Sequence, residues 1–184
     1  MIKKANNFFS FAYSLLSLIL QKNVLAKKVL KIEYTLDFSL IAIVSSMKDY
    51  RLCWHLNHIF DIHLARLPDM EINRAKQKKL CRFNLFRYED NRHEVRYFLI
   101  DNKSGGDFFL PELKQADYLL MICSENPQMD NSGITEKIKS INEIQTAFVV
   151  DAGNIKSKEN LVVVKETFNS PPKPKFRKLK HDKL

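Results

Sequence analysis

The sequence has few cysteines and no closely spaced pair of them. Its three cysteines, Cys53, Cys81 and Cys123, lie far apart, and no C-x-x-C spacing occurs. A disulfide framework and a zinc ribbon both need paired or closely spaced cysteines, so the pattern argues against both. Each cysteine lies in an apolar run, where a free thiol behaves as a small hydrophobic side chain. We therefore expect three unpaired thiols and a reducing, cytoplasmic compartment.

Motifs that carry common chemistries are also missing. The stretch Asn102-Lys103-Ser104-Gly105-Gly106 lacks the G-x-x-x-x-G-K-[ST] order of a phosphate-binding loop and leads to a predicted strand, so we interpret it as a turn. His55 and His58 are three residues apart on a predicted helix, and His63 follows. The catalytic glutamate or cysteine pair that accompanies helical histidines in zinc motifs does not occur beside them. We expect no metal and no cofactor.

Positive charge is concentrated at the two ends of the chain. The formal net charge is +9. Residues 1–28 contain five lysines and no acidic residue, and residues 171–184 contain six cations against Asp182, so each end carries +5 and residues 29–170 carry −1. A neutral body offers no broad electrostatic field to a polyanion, whereas a basic tail can bind one through charge alone.

Residues 1–26 form an extension that has two interpretations. Lys3 and Lys4 precede an apolar run at 8–20, and Val24-Leu25-Ala26 offers a small residue for cleavage, which is typical of a signal peptide. Alternatively, translation starts near Leu25 and residues 1–24 result from a mis-called start. The apolar run is short for a bilayer span, so we expect no membrane contact unless this segment is part of the protein.

Hydrophobic patterning predicts a sheet with two main helices. β-branched or alternating runs predict strands at 29–36, 39–44, 62–67, 82–89, 94–101, 107–110, 118–123 and 146–150, with an edge strand at 161–164. Helical spacing predicts one helix from a Ser46–Asp49 capping box to about residue 60, and a second at 134–144. Residues 69–80 are polar and are interpreted as a loop. Trp54 is interpreted as a core residue.

The order of these elements predicts a single α+β domain at residues 27–168. Its sheet is mostly antiparallel, with the two main helices on one face and strand–helix–strand units at both ends of the core. Segment 118–123 is apolar on both faces, as expected of a central strand that is covered on both sides. The Pro- and Lys-rich tail at 169–184 is expected to be disordered.

The stretch Leu110-Pro111-Glu112-Leu113-Lys114-Gln115-Ala116-Asp117-Tyr118 resembles the signature of the IPExxxVDY family, uncharacterised proteins of Bacteroidota. Segments similar to that family recur in order over about residues 27–165, among them Asp49-Tyr50-Arg51-Leu52 and Ile100-Asp101-Asn102-Lys103. Leu110 and Ala116 replace isoleucine and valine of the signature, and both remain apolar. The resemblance implies a small cytosolic protein that begins near Leu25, and it implies no activity, because the family is defined without one.

The signature residues Leu110, Pro111, Glu112, Asp117 and Tyr118 have two interpretations. Pro111 suits the first position of a helical turn, Glu112 favours the positive end of that turn, and Asp117 lies where the turn meets the next strand. In the structural interpretation, the carboxylates accept hydrogen bonds from unpaired backbone amides. In the catalytic interpretation, Glu112 and Asp117 are a general acid–base pair with Tyr118 nearby. Histidine and nucleophile are missing at any diagnostic spacing, which favours the structural interpretation.

A basic run and the basic tail are candidate nucleic-acid contacts. The aromatic residues Phe83, Phe86 and Tyr88 follow the run, and such interleaving occurs where single strands bind, although alternating aromatic residues are more often core. The candidate contacts are Arg74, Lys76, Lys78, Lys79, Arg82, Lys173, Lys175, Arg177 and Lys178.

The sequence therefore predicts a small cytoplasmic domain without a catalytic site, acting as a binding or adaptor domain for a protein partner. One alternative is an RNA- or ribosome-associated protein that uses the basic loop at 74–82 and the tail at 173–183. The other is a small enzyme that uses Glu112 and Asp117.

Overall fold

The computed structural model describes residues 37–74, 79–124 and 130–167, all of which belong to the second of the two units into which the chain divides, Thr35–Leu184. The strands are Phe38–Ser45 (β1), Ala65–Arg66 (β2), Met70–Arg74 (β3), Lys79–Phe83 (β4), Leu85–Asp90 (β5), Val95–Asp101 (β6), Lys103–Ser104 (β7), Asp107–Phe108 (β8), Tyr118–Ser124 (β9) and Ile144–Val150 (β10). The α-helices are Asp49–Phe60 (α1), Asn131–Lys139 (α2) and Lys158–Thr167 (α3). Two 3-10 turns lie at Pro111–Leu113 and Ala152–Asn154.

Six strands form one antiparallel sheet in the order β10-β1-β9-β6-β5-β2. Strand β9 lies inside this sheet, with Leu120 opposite Ile41 of β1 and opposite Leu99 of β6. The six residues from Tyr118 to Cys123 are all buried, so the predicted central strand is confirmed. The mostly antiparallel α+β class is confirmed with it.

Alternate residues of the central strands enter cores on opposite faces of the sheet, as the two-residue period of a strand requires. On one face, Ile41 and Ile43 pack with side chains of α1 and α2, which confirms the two helices on one face. On the other face, Leu40 and Ala42 pack with α3, the Pro111–Leu113 turn and the β3–β4 hairpin. Because β9 is covered on both sides, its residues from Tyr118 to Cys123 are all buried, and the run is apolar without alternation.

Helix α1 forms where predicted, but it begins differently. Leu52, Cys53 and Leu56 recur at helical spacing and are buried against the sheet. The N-cap is Lys48 and makes no side-chain capping bond, so the Ser46–Asp49 capping box is wrong. The Asp49 carboxylate instead accepts from its neighbouring amide, Tyr50 N, at 2.8 Å, and from the side chain of Asn84 at 2.8 Å.

Asn57 joins the end of α1 to the segment that follows. Its Oδ1 accepts from Leu64 N at 2.8 Å, and its Nδ2 donates to Leu64 O at 3.5 Å. These bonds use both backbone groups of Leu64, which are then not free to pair in a strand. The strand predicted at 62–67 is accordingly reduced to Ala65–Arg66.

Two predicted elements are wrong in type. The polar loop predicted at 69–80 contains most of a hairpin, because Met70 and Ile72 alternate with outward-facing polar residues and pack inward. The edge strand predicted at 161–164 is part of α3. Leu161 and Val164 are three residues apart and both fully buried, so packing overrides the strand propensity of the valines between them.

The remaining predictions differ from the structure in their bounds or concern residues outside the described ranges. The second helix, predicted at 134–144, begins earlier because the Asp130 side chain accepts from Gly133 N at 2.9 Å, and it ends at Lys139. The predicted strand at 29–36, the extension at 1–26 and the tail at 169–184 lie outside the described residues. None of the helices in the described part of the chain is both long and apolar enough to cross a bilayer.

Candidate functional site

The side chain of Asn102 holds the corner formed by the signature residues. Asn102 is fully buried, and its Oδ1 accepts from Leu110 N at 2.8 Å. Its Nδ2 donates to Leu113 O at 2.7 Å and to Ala116 O at 3.0 Å. The Asn102 backbone adds bonds from its own N to Asp117 O and from Phe109 N to its O, each 2.8 Å long. One residue thus satisfies backbone groups along the whole turn, a role that the sequence analysis missed.

The two signature carboxylates bond to different parts of the fold. Glu112 Oε1 accepts from Ser157 N at 2.9 Å and from Ser157 Oγ at 3.0 Å, next to the first turn of α3. Asp117 Oδ2 accepts from Ser45 N at 2.9 Å, and its Oδ1 pairs with Lys103 Nζ at 2.7 Å. Both carboxylates therefore cap backbone amides, as the structural interpretation predicts. The catalytic interpretation requires both carboxylates to face the same substrate. These contacts hold the two carboxylates at different parts of the fold.

Pro111 and Tyr118 also have structural contacts. Pro111 begins the 3-10 turn, as its fixed φ favours. Tyr118 is buried, and its hydroxyl donates to Met47 O at 2.5 Å, which ties β9 to the segment before α1. Burial raises the pKa of the Tyr118 hydroxyl above its ordinary value, and the nearby carboxylates of Asp101, Asp49 and Asp117 raise it further.

A partly buried carboxyl group, Asp101, lies beside Tyr118 at the end of β6. The two residues are directly opposite each other in the β6–β9 register. Burial raises the pKa of Asp101 to about 7, the charge of Asp49 adds to the rise, and Arg66 and a hydrogen bond with Asn84 oppose it. Within the described part of the chain, the buried Asp101 Oδ1 accepts no hydrogen bond. Asp101 is thus a carboxyl group whose charged form is poorly solvated.

The residues around Asp101 form a polar network centred on the guanidinium of Arg66. The Arg66 guanidinium pairs with Asp69, donates to Asn84 Oδ1 at 2.7 Å and lies 3.4 Å from Asp49 Oδ2. Asn84 Nδ2 donates to the same Asp49 oxygen at 2.8 Å. The positive charge in this network is therefore supplied by the Arg66 side chain. Among the described residues no cluster of three or more histidine, cysteine or carboxylate side chains could hold a metal ion.

The described residues of the basic run mostly form hydrogen bonds or ion pairs within the fold. Arg74 donates to Phe108 O, Lys79 pairs with Asp107, and Arg82 pairs with Glu71 at 2.9 Å. Phe83 and Phe86 are buried, so these aromatic rings belong to the core and offer no stacking surface. The remaining candidate contacts lie outside the described residues, namely Lys76, Lys78, Lys173, Lys175, Arg177 and Lys178.

A polar cavity of about 540 Å³ lies at the turn end of the β5–β6 hairpin. Three of its four carboxylates have partners in the fold: Asp37 pairs with Lys165, Glu89 pairs with Arg87, and Asp90 lies 2.6 Å from His93 Nδ1. Cys123 lines the cavity, but burial raises the pKa of its thiol to about 11. Because a nucleophilic cysteine must be a thiolate, this raised pKa disfavours the reactive form at neutral pH.

All three cysteines are free and buried, as expected from their positions in apolar runs. Burial also raises the pKa of the Cys53 thiol, and the charge of Asp49 adds to the rise. Cys53 Sγ lies 3.4 Å from Leu64 O, close enough to donate to it. The cysteines are therefore packing residues in the described domain.

The outward face of α1 carries a group of aromatic and basic side chains, most of them exposed, which we call the Trp54 surface: Tyr50, Arg51, Trp54, His55 and His58. Trp54 is 63% exposed and Tyr50 is 64% exposed, so the prediction that Trp54 is core is wrong. The His58 ring stacks on Trp54 with 5.9 Å between centroids and 6° between planes, and the His55 ring meets it edge-on at 4.9 Å. Four of the five residues line a depression of about 510 Å³.

The Trp54 surface could have been found from helical spacing. Leu52 and Leu56 define the inward face of α1, and residues 50, 54 and 58 fall on the opposite side of a 3.6-residue helix. The two histidines on this surface pack against the Trp54 ring. Trp54 therefore lies on the surface of the described domain and not in its core.

Comparison with known proteins finds no matching family model, no matching curated protein and no matching solved structure. The argument for function therefore rests on the side chains themselves.

Proposed function

We propose that this chain is a non-catalytic binding domain that recognises a protein partner through the Trp54 surface. The observation that carries the proposal is the exposure of two large aromatic side chains one turn apart on a helix anchored to the sheet. Tryptophan and tyrosine are the side chains that most often dominate binding energy at protein interfaces. Leaving both in water costs free energy that a partner would recover on burying them.

The charges near the Trp54 surface indicate the chemistry of the partner. Lys48 is exposed, and among the ion pairs of the described residues it takes part in none. Arg51 is half exposed and shares its charge with Glu143. A protein segment that places an apolar or aromatic side chain in the depression, with a carboxylate beside it, fits these groups. Such a carboxylate would lie near Lys48 and the positive end of α1.

Three further expectations from the sequence belong to the same proposal. Buried free thiols support a reducing, cytoplasmic compartment. The tight corner built by Pro111, Glu112, Asp117 and Asn102 supports membership in the IPExxxVDY family, since it gives the signature a structural reason. Backbone capping by both carboxylates supports a domain without catalysis at Glu112 and Asp117.

Trp54→Ala is expected to weaken partner binding at least tenfold, about 1.4 kcal/mol or more, because the substitution removes the largest contact at the centre of the surface. The matched control is Val163→Ala, which trims an exposed valine (46%) on α3, on the other face of the sheet. Partner recovery from native lysate, quantified for both variants at equal protein concentration, provides the measurement. Both variants should unfold within about 0.5 kcal/mol of the parent chain, because the trimmed side chains are exposed.

Recovery of the same protein with equal yield by the Trp54→Ala variant would contradict the proposal. Recovery that ribonuclease abolishes would favour the RNA alternative, in which the basic loop at 74–82 and the tail at 173–183 make the contacts. That alternative further requires affinity that falls steeply with salt.

A further inference from the structure

The polar cavity at the turn end of the β5–β6 hairpin is lined by side chains of three neighbouring strands. Glu89 of β5 lies directly opposite Arg96 of β6, and Arg96 lies opposite Cys123 of β9. Lys165 of α3 lines the cavity as well. Its volume of about 540 Å³ lies within the range of about 300 to 1,000 Å³ that is typical of small-molecule sites. The strand pairing therefore holds charged groups in fixed positions around a space of suitable size.

Arg96 brings a positive charge to this cavity that the fold leaves unpaired. Its cross-strand neighbour Glu89 would be the usual partner, but Glu89 pairs with Arg87, whose side chain is only 10% exposed. The pKa of Asp37 is lowered mainly by its bond with Lys165 and to a smaller extent by the charge of Arg96, so this carboxylate also has another partner. Among the described residues, Arg96 takes part in no ion pair. Its guanidinium is therefore available to an anionic group from outside.

The cavity also has negative charge in excess. Four carboxylates and two cations line it. Glu94 forms no ion pair and no side-chain hydrogen bond within the part of the chain that the structure describes. Asp90 is bonded by His93, which carries a charge only when it is protonated. A polyphosphate would meet like charges here, whereas a ligand with one carboxylate and more than one cationic group matches them.

We propose that this cavity binds a free α-amino acid with a cationic side chain, for which L-lysine is the probe. Arg96 pairs with the α-carboxylate, because a planar guanidinium can donate two parallel hydrogen bonds to such a group. Glu94 and Asp90 pair with the two ammonium groups of the ligand. The site is separate from the Trp54 surface, since Cys123 belongs to the core on the α3 face of the sheet and α1 packs on the other face.

Isothermal titration calorimetry of the full chain with L-lysine measures this binding directly. Low-salt buffer is required, because salt screens exposed charges. L-lysine should bind at one site with a dissociation constant below about 1 mM. Cadaverine lacks only the carboxylate of lysine, and L-norleucine lacks only its side-chain amine. Each should bind about tenfold more weakly, or worse, because each loses one charge-assisted contact.

Variants of the cavity assign these contacts to residues. Arg96→Gln should raise the dissociation constant of L-lysine about tenfold or more and leave that of cadaverine unchanged, because only lysine offers a carboxylate. Glu94→Gln should weaken the binding of both ligands, since both carry ammonium groups. The matched controls are Arg82→Gln on β4 and Glu136→Gln on α2, which remove exposed charges outside the cavity. Both controls should bind L-lysine as the parent chain does.

Three results would overturn the proposal. The first is no measurable binding of L-lysine to the parent chain at about 10 mM ligand. The second is equal affinity for L-lysine and cadaverine. The third is a loss of L-lysine binding that the control variants share with Arg96→Gln. Circular dichroism on each variant checks that the domain remains folded, as expected for side chains that form no ion pair within the described domain.

Discussion

Asn102→Ala is expected to lower the free energy of unfolding by about 3 to 4 kcal/mol, which would be among the largest effects of a single polar side chain in this domain. The substitution leaves three backbone groups of the Leu110–Ala116 turn, namely Leu110 N, Leu113 O and Ala116 O, without the partner they have now. Asn102 is fully buried, so water cannot replace those bonds without opening the corner.

Urea denaturation of the parent chain, the Asn102→Ala variant and an Asn73→Ala variant measures this effect. Asn73 is an exposed asparagine on β3, so its truncation should change stability by no more than about 0.5 kcal/mol. Asn102→Asp tests the direction of the bonds, because a carboxylate cannot donate to the two carbonyl groups and should be at least as damaging as alanine. A loss below about 1 kcal/mol for Asn102→Ala would show that the corner does not depend on this side chain.

Asp101→Asn is expected to stabilise the domain above pH 7, by about 2 kcal/mol at pH 8. The folded pKa of Asp101 is raised from 3.8 to about 7, so the folded state binds the proton more tightly than the unfolded state. The parent chain therefore loses stability as pH rises from about 4 to about 7, and this loss levels off above pH 7. The full shift corresponds to about 4 kcal/mol, which partial solvent access reduces.

The groups facing Asp101 define the control for this measurement. They are Asp49 on α1, Arg66 on β2, Asp69, Asn84 and Tyr118 on β9. An asparagine at position 101 carries no charge and therefore removes the repulsion with Asp49. Thermal or urea unfolding at pH 4.5 and pH 8 for both chains isolates the pH-dependent difference, which Asp69→Asn at the exposed end of the network should not reproduce. If Asp101→Asn and the parent chain show the same slope between these pH values, Asp101 is ionised throughout.

The sheet could be predicted from sequence where a strand has one clear signal. Segment 118–123 is apolar without interruption and appeared in the expected place. The hairpin of β5 and β6 alternates around a polar turn and was also predicted, although the strand predicted at 82–89 runs from the end of β4 across Asn84 into β5. The β3–β4 hairpin was missed because charged outward residues such as Glu71 and Arg82 hide the inward Met70 and Cys81. Helix α3 was missed because three successive valines favour a strand, and only burial of Leu161 and Val164 against the sheet decides for a helix.

Only those contacts of the candidate sites that depend on local backbone chemistry were predictable from the sequence. Pro111 starting a turn, and Glu112 and Asp117 bonding to amides, follow from local backbone chemistry. Asn102 and Asp101 act through residues far away in sequence, which no local pattern specifies. Trp54 was misjudged because tryptophan is usually buried, although the spacing of Leu52 and Leu56 places it outward.

Site-specific photocrosslinking in native cells tests the central claim most directly. A benzophenone amino acid placed at Tyr50, which is exposed and lines the depression beside Trp54, should crosslink one protein in stoichiometric yield. The same group placed at Val163 on α3 should not crosslink that protein. Equal crosslinking from both positions, or crosslinks from Tyr50 to RNA alone, would contradict a protein-binding domain that works through the Trp54 surface.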